Sequence, residues 1–240
     1  MSADTHTSFA ASYIALRERE GRLYSDEELA CLPTVRPGHP LLREWATRGA
    51  SAERLCRYLR RKRRSLRILE IGCGNGWLSN KLAQVPGAIV TGTDINELEL
   101  TQAQRVFHRP NLSFSAGGLD RLHVSEGFDI VVFAASFQYF QEPSRTLGEA
   151  LSRLCDAGEV HIIDSHFYSP ASARTAAARS RSNFEEKGFP ALAGSYHHHT
   201  WDSLGSFRPA VLNRLSLFAK RLQKNGCPFP WVRITKPANE

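Results

Sequence analysis

The sequence predicts an α/β fold built on a doubly wound parallel sheet, and three observations support this. Apolar, strand-like segments alternate with helical ones between Ser65 and Asp164. A row of glycines directly follows the first of these strands, at the edge of such a sheet where ligands bind. The 240 residues are 42% hydrophobic and 23% charged, a globular composition with enough apolar residues for a sizeable core.

The first 64 residues are predicted to form a helical cap outside the sheet. Helical spacing of apolar residues occurs around Tyr13–Glu20, near Leu41–Arg48 and again after Ser51. The last of these helices ends in the basic run RRKRR at residues 60–64. The remainder, 65–240, is predicted to be the domain that binds the ligand.

From residue 65 onward, strands and helices alternate. The predicted strands are SLRILEIG, AIVTGTD, NLSFSA, FDIVVFAA and GEVHIID, at residues 65–72, 88–94, 111–116, 128–135 and 158–164. The predicted helices are WLSNKLAQV, NELELTQAQRVF and PSRTLGEALSRL, at residues 77–85, 96–107 and 143–154. Asn96 is expected to cap the second of these helices, with Glu99 at the reciprocal position of a capping box.

Three segments follow the fifth strand. Residues 165–206 contain four histidines and several aromatic residues, and we interpret them as a helical lid over the ligand crevice. The stretch PAVLNRLSLFAKRLQKNG, residues 209–226, is ambiguous between helix and strand, with helix favoured in its second half. CPFPWVRITKP, residues 227–237, is predicted to supply the last strand because its apolar residues alternate with polar ones.

Charge and cysteine content exclude several classes of protein. The net charge is +7, and RRKRR supplies five of these charges, so subtracting it leaves +2. The longest apolar run, residues 130–135, is too short to span a bilayer, and no signal-peptide core is visible. A soluble, cytoplasmic protein is therefore expected. The five cysteines lack any CxxC pair, which argues against a disulfide framework or a cysteine-rich zinc site.

The glycine row is the main indication of a ligand. Gly72, Gly74 and Gly76 alternate with other residues, and Glu70 precedes them. A glycine turn lets the backbone approach a ligand closely, and the next helix directs its free N–H groups towards it. The dinucleotide fingerprint G-x-G-x-x-G is not met because Trp77 occupies the third glycine position. A Walker loop is excluded because no Gly-Lys-Ser/Thr follows.

The pattern E-x-G-x-G-x-G, together with Asp94 at the end of the second strand, resembles the first motif of class I S-adenosylmethionine-dependent methyltransferases. The resemblance covers about residues 65–165. It implies a Rossmann-like sheet of seven strands, mostly parallel with an antiparallel last strand. It also implies S-adenosylmethionine as the cofactor and transfer of its methyl group.

The resemblance further implies which residues contact the cofactor. Glu70 and the backbone of Gly72–Gly76 would hold its methionine end, Asp94 its ribose and Ile95 its adenine. The family's usual acid for the adenine amine falls near residues 117–119, where this chain has none, and Asp120 is the nearest substitute. The full predicted set is Glu70, Gly72, Cys73, Gly74, Gly76, Asp94, Ile95, Gly118, Leu119 and Ala135.

The acceptor is expected to be a small molecule methylated at oxygen or carbon. Enzymes that methylate exocyclic amines of bases carry Asn/Asp-Pro-Pro-Tyr/Phe after the fourth strand, whereas this chain has residues 135–139, ASFQY. His166 and Tyr139 are the candidate catalytic bases. His197–His199 are not expected to bind a metal because consecutive side chains point in different directions, although one of them could contact the substrate.

Two alternatives stay open. One is an RNA- or protein-directed methyltransferase that uses RRKRR as a docking patch, so nucleic acid is a possible partner but not the favoured one. The other is a non-catalytic module that retains the cofactor-binding fold. The intact glycine row and Asp94 argue against this second alternative. The sequence does not indicate an oligomeric state.

Overall fold

The centre of the fold is a mixed β-sheet. A computed structural model describes residues 3–119, 127–213 and 227–237, with the backbone alone for residues 3–8. The strands are β1 (Leu66–Ile71), β2 (Ala88–Asp94), β3 (Leu112–Ala116), β4 (Phe128–Ala134), β5 (Leu154–Ile163), β6 (Ala210–Val211) and β7 (Val232–Thr235). Their order across the sheet is β3-β2-β1-β4-β5-β7-β6.

The sheet topology confirms the predicted fold. Strands β1 to β5 pair in parallel, and β7 pairs antiparallel with both β5 and β6. The chain proceeds outward from β1 to β3 on one side and from β4 onward on the other. The order therefore reverses between β1 and β4, and a ligand crevice is expected at their carboxyl ends.

Seven α-helices accompany the sheet in the described residues. They are α1 (Ala3–Arg19), α2 (Asp26–Cys31), α3 (Leu42–Arg60), α4 (Trp77–Leu82), α5 (Glu97–Val106), α6 (Pro143–Ser152) and α7 (Pro170–Glu186). Short 3-10 helices cover Phe137–Tyr139, Pro190–Ser195 and Trp201–Phe207. Alternate residues of β1 enter different cores, with Ile68 in one buried cluster and Leu69 in the other. Apolar packing on both faces thus explains the continuous apolar runs of the central strands.

The N-terminal region differs from the prediction. The helix expected around Tyr13–Glu20 is the longer α1, and α2 forms between the first two predicted helices. The helices expected near Leu41–Arg48 and after Ser51 are a single continuous helix, α3. Gly49 lies inside it, and a Cβ there would come within 3.0 Å of the Pro33 side chain. A glycine in a helix costs only about 1 kcal/mol, and here it allows the preceding loop to pack closely against the helix.

The predicted capping box at α5 is half right. The Asn96 side chain accepts the backbone N–H groups of Leu98 and Glu99, so Asn96 caps the helix. Glu99 does not return the bond, because the Asn96 N–H donates to Asp94 Oδ1 at 2.9 Å. The Glu99 side chain is left to face the ligand cavity.

One further boundary was wrong, and two predictions concern residues outside the described part of the chain. The helix predicted over residues 143–154 ends at Ser152, and β5 already begins at Leu154. Most of the ambiguous stretch 209–226 and the substitute acid Asp120 fall outside the described residues. Of the helices in the described part of the chain, none is long and apolar enough to cross a membrane.

Three of the five basic residues at positions 60–64 already have acidic partners. Lys62 Nζ lies 2.9 Å from Glu159, Arg60 lies 3.2 Å from Glu53, and Arg64 pairs with Asp129. The run therefore joins the end of α3 to the sheet. Much of its charge is neutralised within the molecule.

Candidate active site

A cavity of about 1150 Å³ opens at the carboxyl ends of β1, β2, β4 and β5. We call these strand ends the floor, and we call α1 together with the insert 165–206 the roof. Nine of the ten predicted cofactor residues line the cavity, as do both candidate bases, His166 and Tyr139. The exception is Gly76, whose Cβ position faces the Phe114 ring instead.

The glycine turn adopts a backbone that other residues rarely take. Gly72, Gly74 and Gly76 have φ values of 70°, 52° and 73°. A Cβ on Gly72 would lie 2.5 Å from the Ser136 side chain, and one on Gly76 would lie 2.6 Å from the Phe114 ring. The first glycine thus permits close approach to the loop after β4. The third permits close packing of the helix on the sheet.

Asp94 connects the end of β2 to this turn. Its Oδ2 accepts the Gly74 N–H at 2.7 Å and its Oδ1 accepts the Asn96 N–H at 2.9 Å. Burial raises the pKa of Asp94, and the two N–H bonds oppose that rise. The carboxylate lines the cavity with lone pairs still available. It can therefore accept hydrogen bonds from the hydroxyl groups of a sugar.

Two more carboxyl groups lie at the same wall of the cavity. Glu70 is 2% exposed, and its hydrogen bond is to Ser79 Oγ at 2.5 Å. Burial raises the pKa of Glu70 to about 8 and that of Glu99 to about 7. No salt bridge reaches Glu70, Asp94 or Glu99 from any described residue. Such a wall suits a ligand that carries positive charge as well as hydroxyl groups.

Asp164 is a cavity residue that sequence reasoning missed. It follows β5 with a φ of 54°, is 7% exposed, and accepts a hydrogen bond from Ser51 Oγ at 2.7 Å. Burial raises the pKa of Asp164 to about 6. The signal was available, because an acid directly after a buried strand is what identified Asp94.

The two candidate bases differ in protonation. Burial, and secondarily Arg179, lowers the pKa of His166, so its imidazole is neutral near pH 7 and can accept a proton. Burial raises the pKa of Tyr139 far above its usual value. The phenol therefore keeps its proton and is suited to donate a hydrogen bond. His166 is the better base of the two.

The three consecutive histidines have different surroundings, although the rings of His197 and His199 stack at 6.1 Å. His197 lines the cavity, while His198 Nε2 lies 2.9 Å from Ser180 Oγ on α7. His199 is buried, with its Nε2 3.2 Å from the Phe137 carbonyl oxygen. Within the described residues no group of histidine, cysteine or acidic side chains is arranged to hold a metal ion.

The N-terminal helix contributes cavity residues that the sequence reading did not assign. Tyr13 and Arg17 of α1 line the cavity, and the Tyr13 and Tyr139 rings meet edge-on at 5.7 Å. Tyr139 also contacts Tyr196 of the insert at 5.6 Å. The four-residue spacing of Tyr13 and Arg17 placed them on one helix face. Nothing in that spacing indicated which surface the face would cover.

Comparison with known proteins places this geometry in a family. Residues 68–158 match the family model described as a methyltransferase domain. The matched segment runs from β1 into β5 and contains the glycine turn, Asp94 and the loop after β4.

Residues 68–158 form a domain of the class I S-adenosylmethionine-dependent methyltransferases.

S-adenosylmethionine is the cofactor of this family. Carboxyl groups without salt bridges, such as those of the cavity wall, suit the positively charged sulfonium and ammonium groups of that molecule and its ribose hydroxyls. The predicted family, fold and cofactor are thereby confirmed.

Curated relatives match over part of their length. The chain is 32% identical over 114 residues to malonyl-[acyl-carrier protein] O-methyltransferase of Halalkalibacterium halodurans, covering 43% of this chain and 42% of that protein. It is 30% identical over 91 residues to the protein of the same name from Bacillus cereus, covering 38% of this chain and 34% of that protein. The matches therefore span less than half of either relative.

Solved structures show the same fold along more of the chain. Magnesium protoporphyrin IX methyltransferase from Synechocystis, with bound SAH, has a TM-score of 0.58 at 18% identity, covering 85% of this chain and 90% of that one. The plantazolicin methyltransferase in complex with SAH has a TM-score of 0.58 at 17% identity, covering 93% and 99%. At this level of identity the likeness establishes the fold alone.

Proposed function

We propose that this protein transfers the methyl group of S-adenosylmethionine to a small molecule, at an oxygen or a carbon atom. The observation that carries the proposal is a single cavity with a carboxylate-lined wall on its floor and an aromatic, histidine-bearing roof. Such a cavity encloses a small ligand beside the cofactor and excludes water from it. Two relatives are named malonyl-[acyl-carrier protein] O-methyltransferase, which agrees with transfer to oxygen.

The cofactor supplies a methyl group already activated on a sulfonium. In this proposal Glu70 and the Gly72–Gly74 backbone hold the methionine end, Asp94 accepts the ribose hydroxyls, and Ile95 packs on the adenine. The chain's remaining task is to hold the acceptor in line, which can contribute on the order of 7–11 kcal/mol in favourable cases. His166 would take the acceptor's proton where one must leave.

The roof would control access to this cavity. We assign residues 1–64 as a helical cap, 65–240 as the methyltransferase domain, and 165–206 within it as the substrate lid. Lys187 Nζ lies 2.5 Å from Glu20 Oε1, which joins the insert to the N-terminal region. A cytoplasmic location remains a prediction from the sequence.

The RNA-directed alternative has little support from the geometry. Three of the five cations at positions 60–64 pair with Glu53, Glu159 and Asp129, and these pairs reduce the charge available to phosphates. Neutralising the two remaining arginines, Arg61→Gln with Arg63→Gln, should leave methyl transfer unchanged. Salt-dependent RNA binding that disappears in this variant would favour the alternative.

The proposal is tested by supplying methyl-labelled S-adenosylmethionine to the protein with separate small-molecule, RNA and protein fractions of a cell extract. Label should enter the small-molecule fraction, and His166→Asn should reduce that transfer if the acceptor must lose a proton. Label that enters only RNA, or that stays on protein after carrier-bound acyl groups are released, would contradict the proposed substrate class.

A further inference from the structure

Arg17 presents a guanidinium to the cavity without an acidic partner. It lines the cavity, and its Nε is buried with no hydrogen-bond partner. Among the described residues the guanidinium makes no hydrogen bond or salt bridge, and its contact is with the ring of Tyr13, 5.2 Å from Cζ to the ring centroid. A buried donor left unsatisfied costs about 1–3 kcal/mol. The position therefore calls for a partner that is not part of the protein.

Neighbouring arginines of the same region are paired, which sets Arg17 apart. Arg22 donates to both carboxylate oxygens of Glu44 at 2.7 Å and also contacts Glu20 at 2.8 Å. Arg48 contacts Glu44 at 2.9 Å. Glu20 and Glu44 are thus already engaged. Glu99 acts on Arg17 through its charge but forms no salt bridge with it, so the guanidinium donors are left facing the cavity.

Two phenol groups stand beside this guanidinium. Tyr13 lies one turn before Arg17 on α1, and its ring meets that of Tyr139. Burial raises the pKa of Tyr13 to about 12 and raises that of Tyr139 further, so both keep their protons. In the described part of the chain neither hydroxyl has a hydrogen-bond partner. A guanidinium fork with O–H donors next to it is a donor set that matches a carboxylate.

We propose that Arg17, with Tyr13 and Tyr139, forms a carboxylate-binding subsite at the roof of the cavity. The inference rests on the proposed function, because it assigns a role to this site. Carboxylate chemistry has two sources here, the methionine moiety of the cofactor and a carboxylate on the acceptor. The experiment must therefore separate them.

The test measures binding of S-adenosylhomocysteine and of 5′-methylthioadenosine, which lacks the amino-acid carboxylate, by calorimetry. Arg17→Met and Arg17→Lys are compared with Arg19→Met, a control that removes an exposed cation from the same helix. Tyr13→Phe and Tyr139→Phe retain the ring contacts and remove the donors. Benzoate is then titrated into the S-adenosylhomocysteine-saturated proteins as a probe for an acceptor carboxylate, with benzamide as its neutral counterpart.

If the cofactor is the source, Arg17→Met lowers S-adenosylhomocysteine affinity about 10- to 100-fold. Methylthioadenosine affinity stays unchanged, and Arg17→Lys recovers part of the loss. If the acceptor is the source, S-adenosylhomocysteine affinity is unchanged, but benzoate binding falls in Arg17→Met and benzamide binding does not.

The subsite is refuted if the affinity for neither carboxylate ligand depends on Arg17, or if Arg19→Met has the same effect as Arg17→Met. Failure of the wild type to bind S-adenosylhomocysteine would instead contradict the proposed function. Titration of benzoate into the free protein would then still decide whether Arg17 binds a carboxylate.

Discussion

Glu70 and Glu159 are buried carboxylates of the same sheet, on β1 and β5, and their surroundings differ. Glu159, 6% exposed, lies 2.9 Å from the Tyr58 hydroxyl, 2.9 Å from Lys62 Nζ and 3.2 Å from His161 Nε2. Although burial would raise it, these groups hold the pKa of Glu159 at about 2. Glu70 has Ser79, and its pKa rises to about 8.

The difference separates a structural site from a ligand site. The Glu159 network is complete within the chain. Trp231 Nε1 donates to His161 Nδ1 at 3.0 Å, which leaves the His161 proton on Nε2 to donate to Glu159. The wall around Glu70 has three carboxyl groups and no salt bridge from a described residue, although the Arg17 charge opposes the rise in the pKa of Asp94 and of Glu99. Buried charges are normally paired, so the unpaired wall indicates where a cationic ligand completes the structure.

The largest expected effect is the loss of stability when Glu159 is removed from its complete network. Glu159→Ala leaves Lys62 and His161 without their buried partner and should lower the free energy of unfolding by about 3–5 kcal/mol at pH 7, measured by urea denaturation. The lowered pKa stabilises the fold above about pH 4.5, and this contribution is lost as the pH falls towards 2. The wild-type advantage should therefore shrink in that window. Glu53→Ala, which removes an exposed partner of Arg60, should change stability by less than about 0.5 kcal/mol.

The contribution of Glu70 to stability should depend on pH in the opposite sense to that of Glu159. A carboxyl whose pKa is raised from 4.5 to about 8 stabilises the fold below pH 4.5, and this contribution is lost as the pH rises through 8. Glu70→Gln should therefore be more stable than the wild type at pH 8.5, by on the order of 2–4 kcal/mol relative to their difference at pH 5. Urea unfolding at the two pH values measures this. Parallel pH profiles for the two proteins would show that Glu70 does not titrate as assigned.

Gly76 tests whether a residue of the glycine row acts through packing alone. Gly76→Ala places a Cβ 2.6 Å from the Phe114 ring, at a φ of 73°, and should destabilise the fold by about 2 kcal/mol. Thermal unfolding gives the loss. Combining it with Phe114→Leu should recover part of the stability, and the absence of any recovery would contradict the packing role.

The smallest expected effect is the release of protons when the cofactor binds. Binding of positively charged S-adenosylmethionine lowers the pKa of Glu70 and Glu99, so less than about one proton per group is released near pH 7. Calorimetry in buffers of different ionisation enthalpy detects this release as a change in the observed binding enthalpy. Glu70→Gln should reduce the release. Equal proton release from the wild type and the variant would contradict the assignment of Glu70 to the cofactor site.

The sequence predicted the floor of this site better than its roof. Strand ends and tight turns follow from local patterns, so Asp94 and the glycine turn could be assigned before the fold was known. Arg17 and Tyr13 lie on a helix whose docking position depends on long-range packing, and their spacing alone could not show what they cover. Asp164 carried the same signal as Asp94 and was overlooked.

The most direct test of the account is calorimetric titration of S-adenosylmethionine and S-adenosylhomocysteine into the wild type, Asp94→Ala and a control, Asp202→Ala. Asp202 is exposed and lies away from the cavity lining. The account predicts micromolar binding to the wild type and to Asp202→Ala, with a loss of at least about tenfold in Asp94→Ala. Equal affinity in all three proteins, or no binding by the wild type, would contradict the assignment of the carboxylate-lined wall to the cofactor.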